Sequence, residues 1–192
     1  MNRSLHRSVG AGALTRLLDG PVEEIAPSLL GLRLRTELPP GPTEVVITEV
    51  EAYAGERDPA SHAYRGRTPR NESMFGPSAI LYVYRAYGIH WCMNIVTGGP
   101  GDPCAVLLRA GRPLIGADVM AQRRGRTDHL ADGPGKLTQA LGVTGDHDGG
   151  SLFSGPVELL PALDRVGQII ATPRVGITKA VSWPWRFVLV NG

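Results

Sequence analysis

Residues 45–54 read VVITEVEAYA, and how this stretch is read decides what kind of sheet the chain builds. Apolar and polar residues alternate as they do along a β-strand, whose successive side chains point to opposite faces. Strict alternation predicts Val45, Ile47, Glu49, Glu51 and Tyr53 on one face, and Val46, Thr48, Val50 and Ala52 on the other. The second face is that of a half-buried strand. The first starts with Val and Ile and ends with two carboxylates and a tyrosine, a mixture that burial alone does not explain.

Outward from this strand, the pattern on both sides predicts more of the same sheet. Residues 22–34, VEEIAPSLLGLRL, read as a short helix running into a strand at 31–38, and a Pro-Gly-Pro turn follows at 40–42. Residues 55–79 are loop-like, rich in Gly, Pro, Asn and Ser. Strands are predicted at 80–87, 91–97, 104–110, 157–161, 168–177 and 185–190, and helices at 116–124 and 133–142. Short turns between strands, with few helices among them, indicate an α+β fold: a single domain around a curved, mostly antiparallel sheet with peripheral helices. Residues 1–20 are expected to be a flexible N-terminal arm and 21–192 the domain.

Composition narrows the function only a little. The 192 residues suffice for one domain with a substantial core. A net charge of +2 is too small to identify a nucleic-acid partner. All but Lys136 and Lys179 of the 20 basic residues are Arg, which suits bidentate phosphate or carboxylate contacts but also follows from a GC-rich genome. Cys92 and Cys104 form no CxxC pair and sit in apolar runs, so buried free thiols in a reducing compartment are expected. No run approaches the ~20 apolar residues that cross a bilayer. The expectation is a soluble, cytoplasmic protein with no membrane partner.

Three clusters carry candidate chemistry. Glu49 and Glu51 lie two residues apart, which places their Cα atoms about 6.5–7 Å apart, within the range of paired carboxylates that cleave glycosidic bonds. Solvated or arginine-paired acids are the plainer reading. His62 stands in the loop beside Arg65, Arg67 and Arg70, a run that suits phosphate oxygens or a solvated turn. In LYVYRAYGIHWCMN (81–94), Tyr82 and Trp91 read as core, while Tyr87 beside Gly88 at a turn is harder to bury. Residues 133–142, GPGKLTQALG, lack the GxxxxGK[ST] spacing of a phosphate loop, although a helix start with Lys136 nearby can hold an anion. GDHDGG at 145–150 lacks the ligand spacing of calcium loops.

Five blocks in order, EVEAYAG (49–55), SHAYRGRTPRNESMF (61–75), LYVYRAYGIHWCMNIV (81–96), AVLLRAGRPLIG (105–116) and GPGKLTQALGV (133–143), resemble the alkyladenine (3-methyladenine) DNA glycosylases. The resemblance spans roughly residues 27–190. It implies a monofunctional, metal-free and cofactor-free base-excision enzyme that flips an alkylated purine out of double-stranded DNA, acts as a monomer and leaves an abasic site. It also implies roles. Glu51 is the general base that activates water; Tyr53, Ala60, His62, Tyr84 and Asn94 form the base pocket; Arg109 positions the water; Tyr87 enters the vacated space in the duplex. Arg65, Arg67, Arg70 and Lys136 are the candidates for the DNA backbone. Glu49 is expected to be structural, one pleat deeper than Glu51 and held by an arginine such as Arg109. Neither lysine is placed in the pocket. Ser78-Ala79-Ile80 stands where the family pattern has a Pro-Gly turn. Two other classes fit the same residues: a metal-dependent hydrolase using Glu49, Glu51 and His62, and a non-catalytic nucleic-acid-binding domain.

Overall fold

The computed structural model of the protein describes residues 12, 14–163 and 167–190. Among them, eight strands form one sheet: β1 (Arg33–Leu38), β2 (Gly41–Ala54), β3 (Leu81–Ala86), β4 (His90–Val96), β5 (Cys104–Ile115), β6 (Val157–Leu160), β7 (Gln168–Thr172) and β8 (Arg186–Val190). Every strand pair is antiparallel. The order is β3-β4-β5-β2-β1-β6, with β8 against β2 and β7 outside β8.

β2 is the strand that organises the rest. One edge runs along β5, while the other pairs with β1 over residues 41–46 and with β8 from Glu49 to Glu51. Where the partner changes, the β2–β5 ladder slips. Ile47 faces Gly111, Glu49 faces Ala110 and Val50 faces Leu108, which leaves Thr48 and Arg109 outside the pairing. An extra residue carries every following side chain to the other face. Val45 and Ile47 therefore share the main core with Val50, Ala52 and Ala54. The face assignment made from strict alternation is corrected here: Glu49, Glu51 and Tyr53 do not continue the row begun by Val45 and Ile47. The two acids on an apolar row were an artefact of reading through a bulge.

The core face is covered by α1 (Val22–Ser28), α2 (Ala117–Arg124) and α3 (Pro134–Ala140). Ile47, Leu108, Met93, Met120 and Leu137 are all fully buried there. Gly111 is required where β5 passes this core, because a Cβ on it would lie 2.8 Å from Val45 Cγ2. Arg123, in the last turn of α2, donates to the Gly41 carbonyl at 2.9 Å and the Ala140 carbonyl at 3.0 Å, tying the β1–β2 turn to α3. Leu14 and Leu18, assigned from sequence to the arm, belong to the core. Residues 1–11 and 13 of that expected arm lie outside the described residues.

A second, smaller cluster packs on the opposite face: Ala63, Met74 and Phe75 of the 55–79 loop against Tyr82, Val96 and Ala105. Asn71 holds that loop, donating to the His62 and Gly66 carbonyls at 3.0 Å each and accepting from the Thr68 N–H at 2.7 Å. The strand predicted over 168–177 stops at Thr172. Pro173 has no N–H for a ladder, and Arg174 turns inward, 5% exposed. Cys92 and Cys104 are buried free thiols, the latter pushed up to about 12 by burial and by Asp102.

Candidate active site

A cavity of about 620 Å³ opens on the face that the bulge gives to the acids. Its aromatic wall comes from β3 and the loop. Tyr82 and Tyr84 stack with centroids 5.4 Å apart, and the His62 ring stands edge-on to Tyr84 at 4.5 Å. His62 Nδ1 lies 3.0 Å from the Tyr82 hydroxyl. Burial of its flank, and then the Arg70 charge, hold His62 below the usual imidazole range, which keeps it neutral at pH 7. Tyr82, expected as core, is both buried and part of the cavity lining. Asn94 is fixed by donation to the Tyr82 carbonyl at 3.1 Å.

Glu51 lies behind Tyr53 and Arg109, which both line the cavity. Its side chain is 0% exposed. Oε1 accepts the Val175 N–H at 2.8 Å; Oε2 accepts the Tyr53 hydroxyl at 2.9 Å and lies 3.2 Å from Arg109 Nη1. Burial, together with the Glu51 charge and bond, pushes the Tyr53 hydroxyl far above its ordinary value, so it remains a donor. Glu49 is the more accessible acid, at 18%, which reverses the expected depths. Arg109 Nε and Arg186 Nε reach the same Glu49 oxygen at 2.7 and 2.6 Å. Burial would raise the Glu49 carboxyl, but its bonds to Arg186 and Arg109 outweigh that and hold it below its ordinary value. Arg109 thus links both acids, a direct consequence of its place opposite the bulge.

The remaining predicted residues divide. Ala60 lines the cavity, with its N–H donated to Asp58 Oδ1 at 3.0 Å. Tyr87 sits at the tip of the β3–β4 hairpin, 89% exposed and with φ of +51°. Arg70 lines the cavity, whereas Arg67 lies over Phe75 and faces Glu72 at 3.4 Å. Arg65 is exposed. Lys136 pairs with Asp132 at 2.9 Å and does not line the cavity. Lys179 does line it, which corrects the expectation that no lysine reaches the pocket. The metal-hydrolase arrangement is not assembled: Glu49 and Glu51 are taken by arginines, and His62 meets Tyr82. Among the described residues no group of three His, Cys, Asp or Glu gathers to hold a metal. Sequence reading missed Asp58, Arg174, Val175 and Arg186 altogether.

No helix among the described residues is long and apolar enough to cross a membrane. The family model for methylpurine-DNA glycosylase matches residues 16–192. Among relatives named "Putative 3-methyladenine DNA glycosylase", that of Rhodopseudomonas palustris strain BisB18 is 49% identical over 170 residues, covering 88% of this chain and 82% of that one. Those of Frankia casuarinae and Methanoculleus marisnigri are 47% identical over 187 residues and 53% identical over 149. They cover 90% and 74% of this chain, and 86% and 77% of their own. The chain belongs to the methylpurine-DNA glycosylase family, whose enzymes excise alkylated bases from DNA.

Proposed function

We propose that this glycosylase hydrolyses the N-glycosidic bond of alkylated purines, N3- and N7-methylated ones among them, in double-stranded DNA, with water activated by Glu51. The observation that carries the reading is the hydrogen bonding of that one carboxylate. An ionised carboxylate offers about four lone-pair sites; hydrogen bonds from Val175 and Tyr53 occupy two of them, and the Arg109 guanidinium pairs with Oε2 at 3.2 Å. Oε1, with a single donor, keeps a site for a proton of water.

The chemistry balances without a metal or an acid. A methylated purine in the cavity is a cation held by aromatic faces, of which Tyr53, Tyr82 and Tyr84 are three. When the C1′–N bond breaks, its electron pair neutralises the leaving base, and positive charge develops on the sugar as in glycoside hydrolysis. Water forms the new C1′–O bond and gives its proton to Glu51. Extrusion of the base from the stack costs a few kcal/mol; an exposed Tyr87 ring fills the space it leaves. Asn94, pinned beside the aromatic wall, disfavours guanine-type bases, whose 2-amino group would crowd it. Arg70 and Lys179, on the same cavity, suit the flanking phosphates. The enzyme acts as a monomer on this reading.

The test is incubation with methylated duplex DNA and chromatography of the released bases, in EDTA and with borohydride present. Free methylated purine, full activity in EDTA and no trapped adduct are expected. Lys179 makes the borohydride arm informative, since an amine nucleophile leaves a trapped adduct and a cleaved strand; that outcome would replace hydrolysis with a lyase mechanism.

A further inference from the structure

We infer that Asp58 and Arg174 form the device that positions Val175 and the cavity wall against Glu51, so that their pairing governs the rate of base excision; the inference rests on the hydrolytic reading above. Both side chains are 0% exposed. Arg174 Nη1 donates to the Ala52 carbonyl at 2.8 Å and to Asp58 Oδ2, and Nη2 donates to Asp58 Oδ1 at 2.9 Å. Asp58 also accepts the Ala60 N–H at 3.0 Å and the Ala54 N–H at 3.4 Å. One ion pair therefore fastens three segments together, and each carries part of the site. The end of β2 bears Glu51 and Tyr53. The turn after Asp58 leads into Ala60 and His62. Residue 175, next after Arg174, delivers its N–H to Glu51.

Stability alone is a poor reason for this arrangement. Desolvating two full charges commonly cancels their attraction, and an apolar pair of similar volume is often as stable. Arg174 Nε is moreover buried without a partner. What an apolar pair lacks is direction: it cannot bond the Ala52, Ala54 and Ala60 backbone groups. The guanidinium further packs 4.6 Å from the Tyr53 ring centroid, against the residue whose hydroxyl holds Glu51. Neither Asp58 nor Arg174 lines the cavity; they act through Val175, Tyr53 and the wall.

The experiment compares wild type, Asp58→Leu, Arg174→Met and the double variant for melting temperature, affinity for methylated duplex and single-turnover excision. Each single variant strands a buried charge and loses stability and rate together. The double variant should regain part of the melting temperature lost in the single variants, the Ala52, Ala54 and Ala60 backbone groups staying without these partners, and bind lesion DNA as wild type does. It should still excise roughly 10- to 100-fold more slowly, the scale of a displaced catalytic geometry. Recovery of rate along with melting temperature overturns the inference, because a structural prop restored by packing would restore both. If the double variant does not fold, Arg174→Lys decides, since it keeps the charge but loses the fork. Slow excision with wild-type binding is then expected, and a wild-type rate overturns the positioning role. A wild-type enzyme that releases no base brings down the hydrolytic reading and this inference with it, an outcome separate from an active wild type with an equally fast variant.

Discussion

The two faces of this sheet use the same strands for opposite purposes. On one, Val45, Ile47, Val50, Leu108 and Met93 pack beneath helices in an apolar core, with Thr36 and Thr43 as buried polar side chains satisfied by one another, the Leu141 carbonyl and Arg123. On the other, four residues of β2, β5 and β8 (Glu49, Glu51, Arg109 and Arg186) form a charged chain beside a cavity. The apolar face tolerates no functional group and needs none. The charged face is held by bonds with direction, which position groups better than packing does but contribute less net stability. The irregularity between Ile47 and Val50 in the β2–β5 ladder sets which residues belong to which face, so neighbours in the chain should behave very differently when changed.

The largest stability effect should come from the apolar face. Ile47→Ala removes a fully buried side chain two residues before Glu49, and should cost about 2–5 kcal/mol. Its single-turnover excision rate, measured well below the melting transition, should match wild type. A slowed rate in the folded variant would show that the two faces are coupled through β2, contrary to the division drawn here.

That division was only partly legible in the sequence. Alternation over 45–54 identified the strand, and periodicity located α2 and α3 within a residue or two, because those signals are local. The bulge is not local. It arises where β2 exchanges β1 for β8 as a neighbour, and nothing in VVITEVEAYA records which strands lie alongside. Family resemblance drew Tyr53, Ala60, His62, Tyr84, Asn94 and Arg109 together, and all six line the cavity. It gave no hint of Asp58, Arg174 or Val175, whose importance lies in contacts across more than a hundred residues. One signal was available: Pro173 inside an apparent strand, which marks an end or an edge.

On the charged face, Glu49→Gln sharpens the comparison. Glu49 bonds to two arginines and is partly buried, so loss of its charge should cost about 1–3 kcal/mol. The sign with pH follows from its depressed carboxyl. The stabilisation is present above the ordinary carboxylate range and is lost as pH falls through the folded value. Wild type should therefore lose more stability than Glu49→Gln on acidification, and parallel melting curves from pH 7 to pH 3 would contradict the assignment.

The hairpin tip should show the smallest effect, with opposite signs for fold and function. Tyr87 and Gly88 both have positive φ, a turn that favours Asn-Gly, and Tyr87 buries almost nothing. Tyr87→Asn should raise stability by up to about 1 kcal/mol while weakening retention of lesion duplex more than of undamaged duplex. Equal loss for both duplexes would remove the wedge role.

The central claim is that, of two acids on one face, Glu51 carries the reaction and Glu49 holds its surroundings. Glu51→Gln and Glu49→Gln, compared in single-turnover excision from methylated duplex at a temperature where both are folded, test it most directly. Glu51→Gln will also lose stability, since its amide N–H₂ must face a donor that the carboxylate accepted, so the rate per folded molecule is the quantity to read. The account predicts a loss of about 10³-fold or more at Glu51, in the upper range for general base catalysis, and of no more than about tenfold at Glu49. Comparable rates for the two variants, or a dead Glu49→Gln beside an active Glu51→Gln, would contradict it.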